Sequence, residues 1–334
     1  LPSTSPSRPT LSNSEPSRLP ALSIGTAMGN RTSLPAIPPA RSLSSVTSRA
    51  AEIPLGAPCE AGKAFGETFK ADSTVFAQTC APRYLKSQKK VLIFAPHPDD
   101  ESMSGGLAMR MMRECGFKVT DVAVTLGSNK ARRPERRAEL AECCKRLSWD
   151  LKICADGEGF DNINPKSRGT LAWRKAAEEI AKIISSENPA AIFFPHRNDW
   201  NKTHCGVSLL LSDALAILGD SYGGMVFETE YWGAMKSPNL MVEIPEDILG
   251  FQMEATSCHT KEVERNPYHI RIPSWMSDNV RRGGEIVGGQ GNAAPNFAFA
   301  VLLRAKIKTP RGWRDAFKGR FLPKETNSST LFAK

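Results

Sequence analysis

No apolar run among the 334 residues reaches the length a bilayer-spanning helix needs, so no transmembrane segment is expected. Eight cysteines are present (Cys59, Cys80, Cys115, Cys143, Cys144, Cys154, Cys205 and Cys258), but none forms a C-x-x-C pair. A zinc knot or redox dithiol is therefore not expected, and the cysteines read as reduced core thiols of a cytoplasmic protein. Gly105-Gly106 does not extend into the G-x-G-x-x-G fingerprint of a dinucleotide site. There is neither a basic helix nor a stripe of alternating aromatic and basic residues. Of the net charge of +9, residues 1–50 supply five Arg against one Glu, leaving a scattered +5 that gives no nucleic-acid groove. Histidine is scarce at five, so its placement carries information.

Aromatic residues are absent before Phe65, and residues 1–50 hold 12 Ser and 8 Pro with no apolar period. Such a segment cannot offset its chain entropy, so residues 1–85 are expected to be disordered. Their Arg- and Ser-rich, acid-poor composition resembles a transit peptide, although the prolines oppose an amphipathic helix. One domain is expected over residues 86–308, with a tail over 309–334.

From residue 88 the pattern alternates. Strands are predicted at Val91 to Phe94, Val119 to Thr125, Leu151 to Ala155, Ala190 to Phe194, Val226 to Trp232 and Leu240 to Ile244. Helices are predicted between them: one from Ser102 to a stop at Gly116, one opening at Pro134, one over Leu171 to Ser186 and one over Val207 to Leu218. This alternation predicts an α/β fold, a Rossmann-like, mainly parallel sheet with helices on both faces. Asn266 to Gly291, rich in glycine, has the composition of a mobile loop over a site, and its Arg281 and Arg282 could receive an acidic group.

The first strand runs straight into Ala95-Pro96-His97-Pro98-Asp99-Asp100-Glu101. Pro96 and Pro98 fix φ on either side of His97. His97 and Asp100, three residues apart, can close on one divalent ion, and Asp99 between them is free to take a proton from water. The bland alternative is an Asx-turn or helix cap. A third ligand is available in His204 of Asn201-Lys202-Thr203-His204, after the fourth strand. In a parallel sheet both loops lie at the carboxyl edge and can meet.

These residues resemble the A-H-P-D-D-E signature of the PIG-L/LmbE family of zinc-dependent de-N-acetylases, with one extra proline before the histidine. The likeness runs as a series of motifs over roughly residues 88 to 305. It implies an LmbE-like fold, one zinc ion per chain held by His97, Asp100 and His204, and Asp99 as general base. The reaction implied is removal of an N-acyl group, foremost acetyl, from an amino sugar such as N-acetylglucosamine or a similar polar amide. Where the family carries a histidine three residues before the ligand histidine, this chain has Asn201. Asn201 can donate a hydrogen bond to an oxyanion but cannot act as an acid, so Asp99 or a nearby imidazole must protonate the leaving amine. His259 matches a C-terminal A-x-x-x-H segment and is expected in the catalytic group. Arg136 matches an R-x-x-E-L segment whose arginine contacts substrate, and Asp156 matches an acidic residue that binds sugar hydroxyls. His196 and Trp200 are further candidates for substrate contact, beside Asp199. The partner expected is a small N-acylated, sugar-linked molecule, and a homo-oligomer is compatible with the sequence. Two other readings compete: a non-catalytic module binding carbohydrate or nucleotide sugar, prompted by Asn201, and a phosphoester hydrolase, disfavoured by a site with few carboxylates.

Overall fold

The computed structural model describes residues 89–333, so the expected disorder of residues 1–85 lies outside the described residues. Five parallel strands come first in the chain: β1 (Lys90–Ala95), β2 (Lys118–Ala123), β3 (Asp150–Ile153), β4 (Ala191–Pro195) and β5 (Met225–Thr229). With β6 (Leu240–Glu243), β7 (Ala300–Thr309), β8 (Gly312–Asp315) and β9 (Arg320–Leu322) they form one sheet in the order β3-β2-β1-β4-β5-β7-β6-β9, with β8 paired to β7. β7 runs antiparallel to β5, β6 and β8, while β9 is parallel to β6. The mainly parallel α/β fold expected from the sequence is present.

β1 is apolar on both faces, as a central parallel strand must be. Its Val91 and Ile93 join the core cluster that contains Leu107, Leu140 and Met276, and its Leu92 and Phe94 join the one that contains Ile180 and Leu211. The first layer holds α1 (Asp100–Ser104), α2 (Gly106–Cys115), α3 (Arg133–Leu147), α6 (Glu246–Thr256) and α8 (Tyr268–Gly288), with the short α7 (Thr260–Arg265) between α6 and α8 in the chain. The second holds α4 (Leu171–Glu187) and α5 (Lys202–Leu218). The single helix predicted from Ser102 to Gly116 is two, divided at Gly105, where a Cβ would lie 2.4 Å from the Trp149 ring. No described helix is long and apolar enough to cross a membrane.

Two segments differ from their sequence reading. Residues 266–291 are mostly the 21-residue helix α8 rather than a mobile loop. The glycines that suggested mobility are there for packing: a Cβ on Gly283 would sit 2.8 Å from Leu302 and Met241, and one on Gly284 would sit 2.8 Å from the backbone of Ala294. Residues 309–334, expected as a tail, supply β8, β9 and a 3-10 turn, Ser328–Phe332. Arg110, fully buried on α2, holds this end of the chain by donating to the carbonyls of Leu322, Pro323 and Thr326 at 3.3, 3.1 and 2.7 Å.

Candidate metal centre

In the strand order the connections diverge on either side of β1 and β4, which are direct neighbours. The crevice beyond their carboxyl ends is where a doubly wound sheet places its ligands. β1 delivers His97, Asp99 and Asp100 there, and β4 leads into α5, whose first turn carries His204.

Asp100 Oδ2 is the meeting point. It lies 3.2 Å from His97 Nδ1 and 3.1 Å from His204 Nε2, and it accepts the His97 backbone N–H at 2.9 Å. Burial opposes its charge, but the two imidazoles outweigh burial and hold the carboxyl below the usual carboxylate range. The two histidine rings are 5.3 Å apart, and the Tyr231 ring stands edge-on to His204 at 4.7 Å. His204 is fully buried, yet neither of its ring nitrogens makes a hydrogen bond. Its Nε2 faces the Asp100 carboxylate at 3.1 Å without hydrogen-bond geometry, an arrangement that suits two ligands of one ion. One nitrogen or carboxylate oxygen from each of His97, Asp100 and His204 lies within 4.8 Å of the others, and two nitrogens plus one oxygen suit zinc. The residues fit a divalent ion. Asp199 Oδ1, 3.7 Å from His204 Nδ1, is positioned as an outer partner for that ring.

Asp99 stands beside this trio with φ at +119°, a conformation that costs a non-glycine residue free energy. Three contacts hold it there. The Asp99 N–H donates to Glu101 Oε2 at 2.8 Å, Ser102 Oγ donates to the Asp99 carbonyl at 2.9 Å, and Arg136 Nη2 donates to the neighbouring Pro98 carbonyl at 2.8 Å. Burial and the adjacent Asp100 push the Asp99 carboxyl well up, against the pull of Arg136 with its Nη2 4.0 Å away. A divalent cation in the trio would act in the opposite direction and favour the ionised form.

Asp99, Asp100, His97, Asn201 and Arg136 all border one cavity of about 240 Å³. Asn201 caps α5: its Oδ1 accepts the Thr203 N–H at 2.8 Å, which leaves its amide N–H groups for a ligand. Arg136 lies across Gly127, whose φ is +86° and where a Cβ would meet Arg136 Nη1 at 2.4 Å.

Other expected site residues lie elsewhere. His259 is fully buried behind the loop, and its Nε2 meets Glu101 Oε1 at 2.7 Å, so it touches Asp99 only through Glu101. The same carboxylate oxygen accepts Cys143 Sγ at 3.1 Å, and burial of Glu101 is outweighed by these partners, which keep it ionised. His196 is an anchor for its loop: buried, with Nε2 at 2.7 Å from the Gly233 carbonyl. Asp156 occupies a turn at φ +51° and does not border the cavity. Trp200 is 81% exposed and also outside it. The aromatic wall is made instead by Trp232 and Tyr268, with ring centroids 5.2 Å apart. Trp232, Arg132, Glu262 and Arg265 border the cavity without having stood out in the sequence. Only the i, i+3 spacing of Glu262 and Arg265 on α7, just after His259, hinted that this helix faces something polar.

Residues 92–215 match the family described as PIG-L, GlcNAc-PI de-N-acetylase. Among solved structures, the chain is similar to 4-carboxy-2-hydroxymuconate hydratase from Pseudomonas putida at 17% identity and a TM-score of 0.50, covering 65% of this chain and 96% of the hydratase. It is also similar to N,N'-diacetylchitobiose deacetylase from Pyrococcus horikoshii at 17% identity and a TM-score of 0.48, covering 72% and 92% of the two chains. The zinc-inhibited form of teicoplanin deacetylase matches at 13% identity and a TM-score of 0.49, covering 65% and 97%. At 17% identity the likeness to the hydratase speaks to fold alone. That the hydratase shares the fold means the reaction must be argued from the side chains.

Proposed function

We propose that this chain, whose residues 92–215 match the PIG-L family, is a metal-dependent hydrolase of an N-acylated, sugar-linked amide, removing foremost an acetyl group. The observation that carries this reading is the convergence of His97, Asp100 and the buried His204, whose ligand atoms lie within 4.8 Å of one another, beside a strained Asp99 that borders one cavity with His97 and Asp100.

His97, Asp100 and His204 would hold a divalent ion, which when bound would supply a Lewis acid for the amide carbonyl and lower the pKa of water. Asp99 takes the proton from the attacking water on its carboxylate and returns it to the amine nitrogen as the C–N bond breaks, serving as base and then acid. The Asn201 amide donates to the developing oxyanion from the cap of α5, in the place where the family has a histidine. Arg136, hydrogen-bonded to Pro98, holds the loop that carries Asp99 and stands close to the reacting group. Glu101 and His259 are positioning residues: they fix the Asp99 peptide and do not touch substrate.

Acetate release from a panel of N-acetylated amino sugars, run with wild type and Asn201→Ala, tests this reading. Release by wild type with a loss of roughly 10²–10³ in kcat for Asn201→Ala is expected, the scale for one oxyanion donor. Wild type that binds the sugars and releases nothing would support instead a carbohydrate-binding module, the reading that Asn201 itself suggests.

A further inference from the structure

Asp199 lies in the loop between β4 and α5, its side chain hidden from solvent. Its two oxygens serve two different parts of the cavity wall. Oδ1 accepts the Asn201 N–H at 2.8 Å, and Oδ2 accepts the N–H groups of Trp232 and Gly233, each at 3.1 Å. Asn201 caps α5, and Trp232 makes the aromatic wall with Tyr268. One rigid carboxylate thus ties the amide donor of the site to its aromatic ring. The junction is tight: the Gly233 carbonyl meets His196 Nε2 at 2.7 Å, and a Cβ on Gly233 would lie 3.0 Å from Asp199 Cα and 3.1 Å from the Asn198 carbonyl oxygen. The start of the Trp232 loop is fixed as well. Tyr231 Oη and Ser104 Oγ are hydrogen-bonded at 2.8 Å, and the buried Glu230 accepts the Met235 N–H at 2.5 Å and Arg282 Nη2 at 2.6 Å. Arg282, which the sequence offered for an acidic group, is committed there, and its neighbour Arg281 donates to Asp278 at 2.8 Å. Every residue from Glu230 to Gly233 is therefore tethered, yet the Trp232 side of this loop stays 38% exposed where it borders the cavity. A fixed backbone that presents a partly open aromatic ring to a polar cavity is built for binding more than for core packing.

We propose that Trp232 is the platform on which the substrate's ring rests, and that Asp199 is the positioning residue that holds this platform in register with Asn201. This rests on the amide-hydrolase reading and deepens it. The negative face of an indole attracts the C–H bonds of one pyranose face, so an N-acyl pyranose is aligned at both its ring and its amide. An acyclic N-acyl amine has only the amide to align it. Because the carboxylate fixes platform and donor before substrate arrives, the ordering cost of aligning them is not met at binding. Asp199→Asn keeps the shape of the side chain but supplies one acceptor oxygen where N–H groups approach from two sides, so it releases one loop from the other.

Calorimetric titration of the full chain as Asp99→Asn, so that turnover does not consume the probes, compares N-acetylglucosamine with N-acetylethanolamine, which carries the same amide and no ring. The ring-bearing probe is expected to bind about tenfold more tightly, the scale of one aromatic contact. Trp232→Ala should bring the two affinities to within about threefold, and Trp232→Phe should restore most of the difference. Asp199→Asn should lower the ratio as well, and adding it to Trp232→Ala should lower it no further, because it acts through the same ring. Both probes are titrated on one preparation, so metal lost through His204 does not alter the ratio. Gly233→Ala, which forces the two loops apart without touching the carboxylate, should also lower the ratio, and it decides the matter should Asp199→Asn fail to fold. Equal affinities, no binding of either probe, or a ratio that Trp232→Ala leaves unchanged would overturn the platform. A ratio that survives both Asp199→Asn and Gly233→Ala would overturn the register. Acetate release, scored on wild type, reports on the reaction separately. Release without ring preference removes the platform alone, and ring preference without release from either probe removes the reaction and keeps the platform.

Discussion

Asp99 is held at φ +119° by an acceptor, Glu101, that is itself fixed by His259 and Cys143. If Glu101 loses its charge or His259 its ring, the Asp99 N–H is left buried with a weaker partner and the peptide can relax toward an ordinary conformation. Glu101→Gln and His259→Leu should each lower kcat by about 10- to 100-fold with KM and metal content nearly unchanged, the scale seen when outer-shell partners are removed. A change in KM with kcat preserved would place these residues in substrate binding instead. At this scale the sequence was informative about the residues that gather at the crevice, because His97, Asp99 and Asp100 follow one strand directly and His204 follows another at the same sheet edge. It was uninformative about the aromatic and basic wall. Trp232 and Arg132 come from different loops, and only the folded chain brings them to one cavity.

Helix α8 was concealed by its composition. Gly283 and Gly284 read as breakers, yet helix propensity yields to tertiary packing where Leu302, Met241 and Ala294 leave no room for a Cβ. Gly283→Ala is expected to destabilise the protein by about 1–3 kcal/mol through overpacking, which denaturant unfolding would measure, and a neutral result would mean Met241 can move aside. The same helix carries His269, buried with its Nδ1 unpartnered and its pKa lowered by that burial. A base whose folded pKa is depressed contributes stability that is complete above the unfolded value near 6.5 and is lost as pH falls through it. Unfolding midpoints should therefore drop between about pH 7.5 and pH 5.5 in wild type and drop less in His269→Gln. Equal slopes in the two proteins would remove His269 as the cause.

Across the whole molecule, the two core layers were legible from β1 alone, since its alternate side chains feed opposite clusters. The end of the sheet was not. β8 and β9 are short, and the force that holds the segment around β9 is the buried Arg110, which looks in sequence like one more charge on an amphipathic helix. Arg110→Met should cost about 3–5 kcal/mol, because Glu114 and a row of carbonyls lose their donor together. Limited proteolysis should then cut first after residue 309, and an unchanged cleavage pattern would show that Ser328–Phe332 packs without this latch.

Metal content and acetate release, measured in parallel on wild type and Asp99→Asn, test the division of labour between the trio and the base most directly. If His97, Asp100 and His204 hold the ion and Asp99 moves the proton, the variant keeps near-stoichiometric metal and releases no acetate. Loss of metal together with activity would make Asp99 a ligand, and acetate release that persists in the variant would remove it from the chemistry.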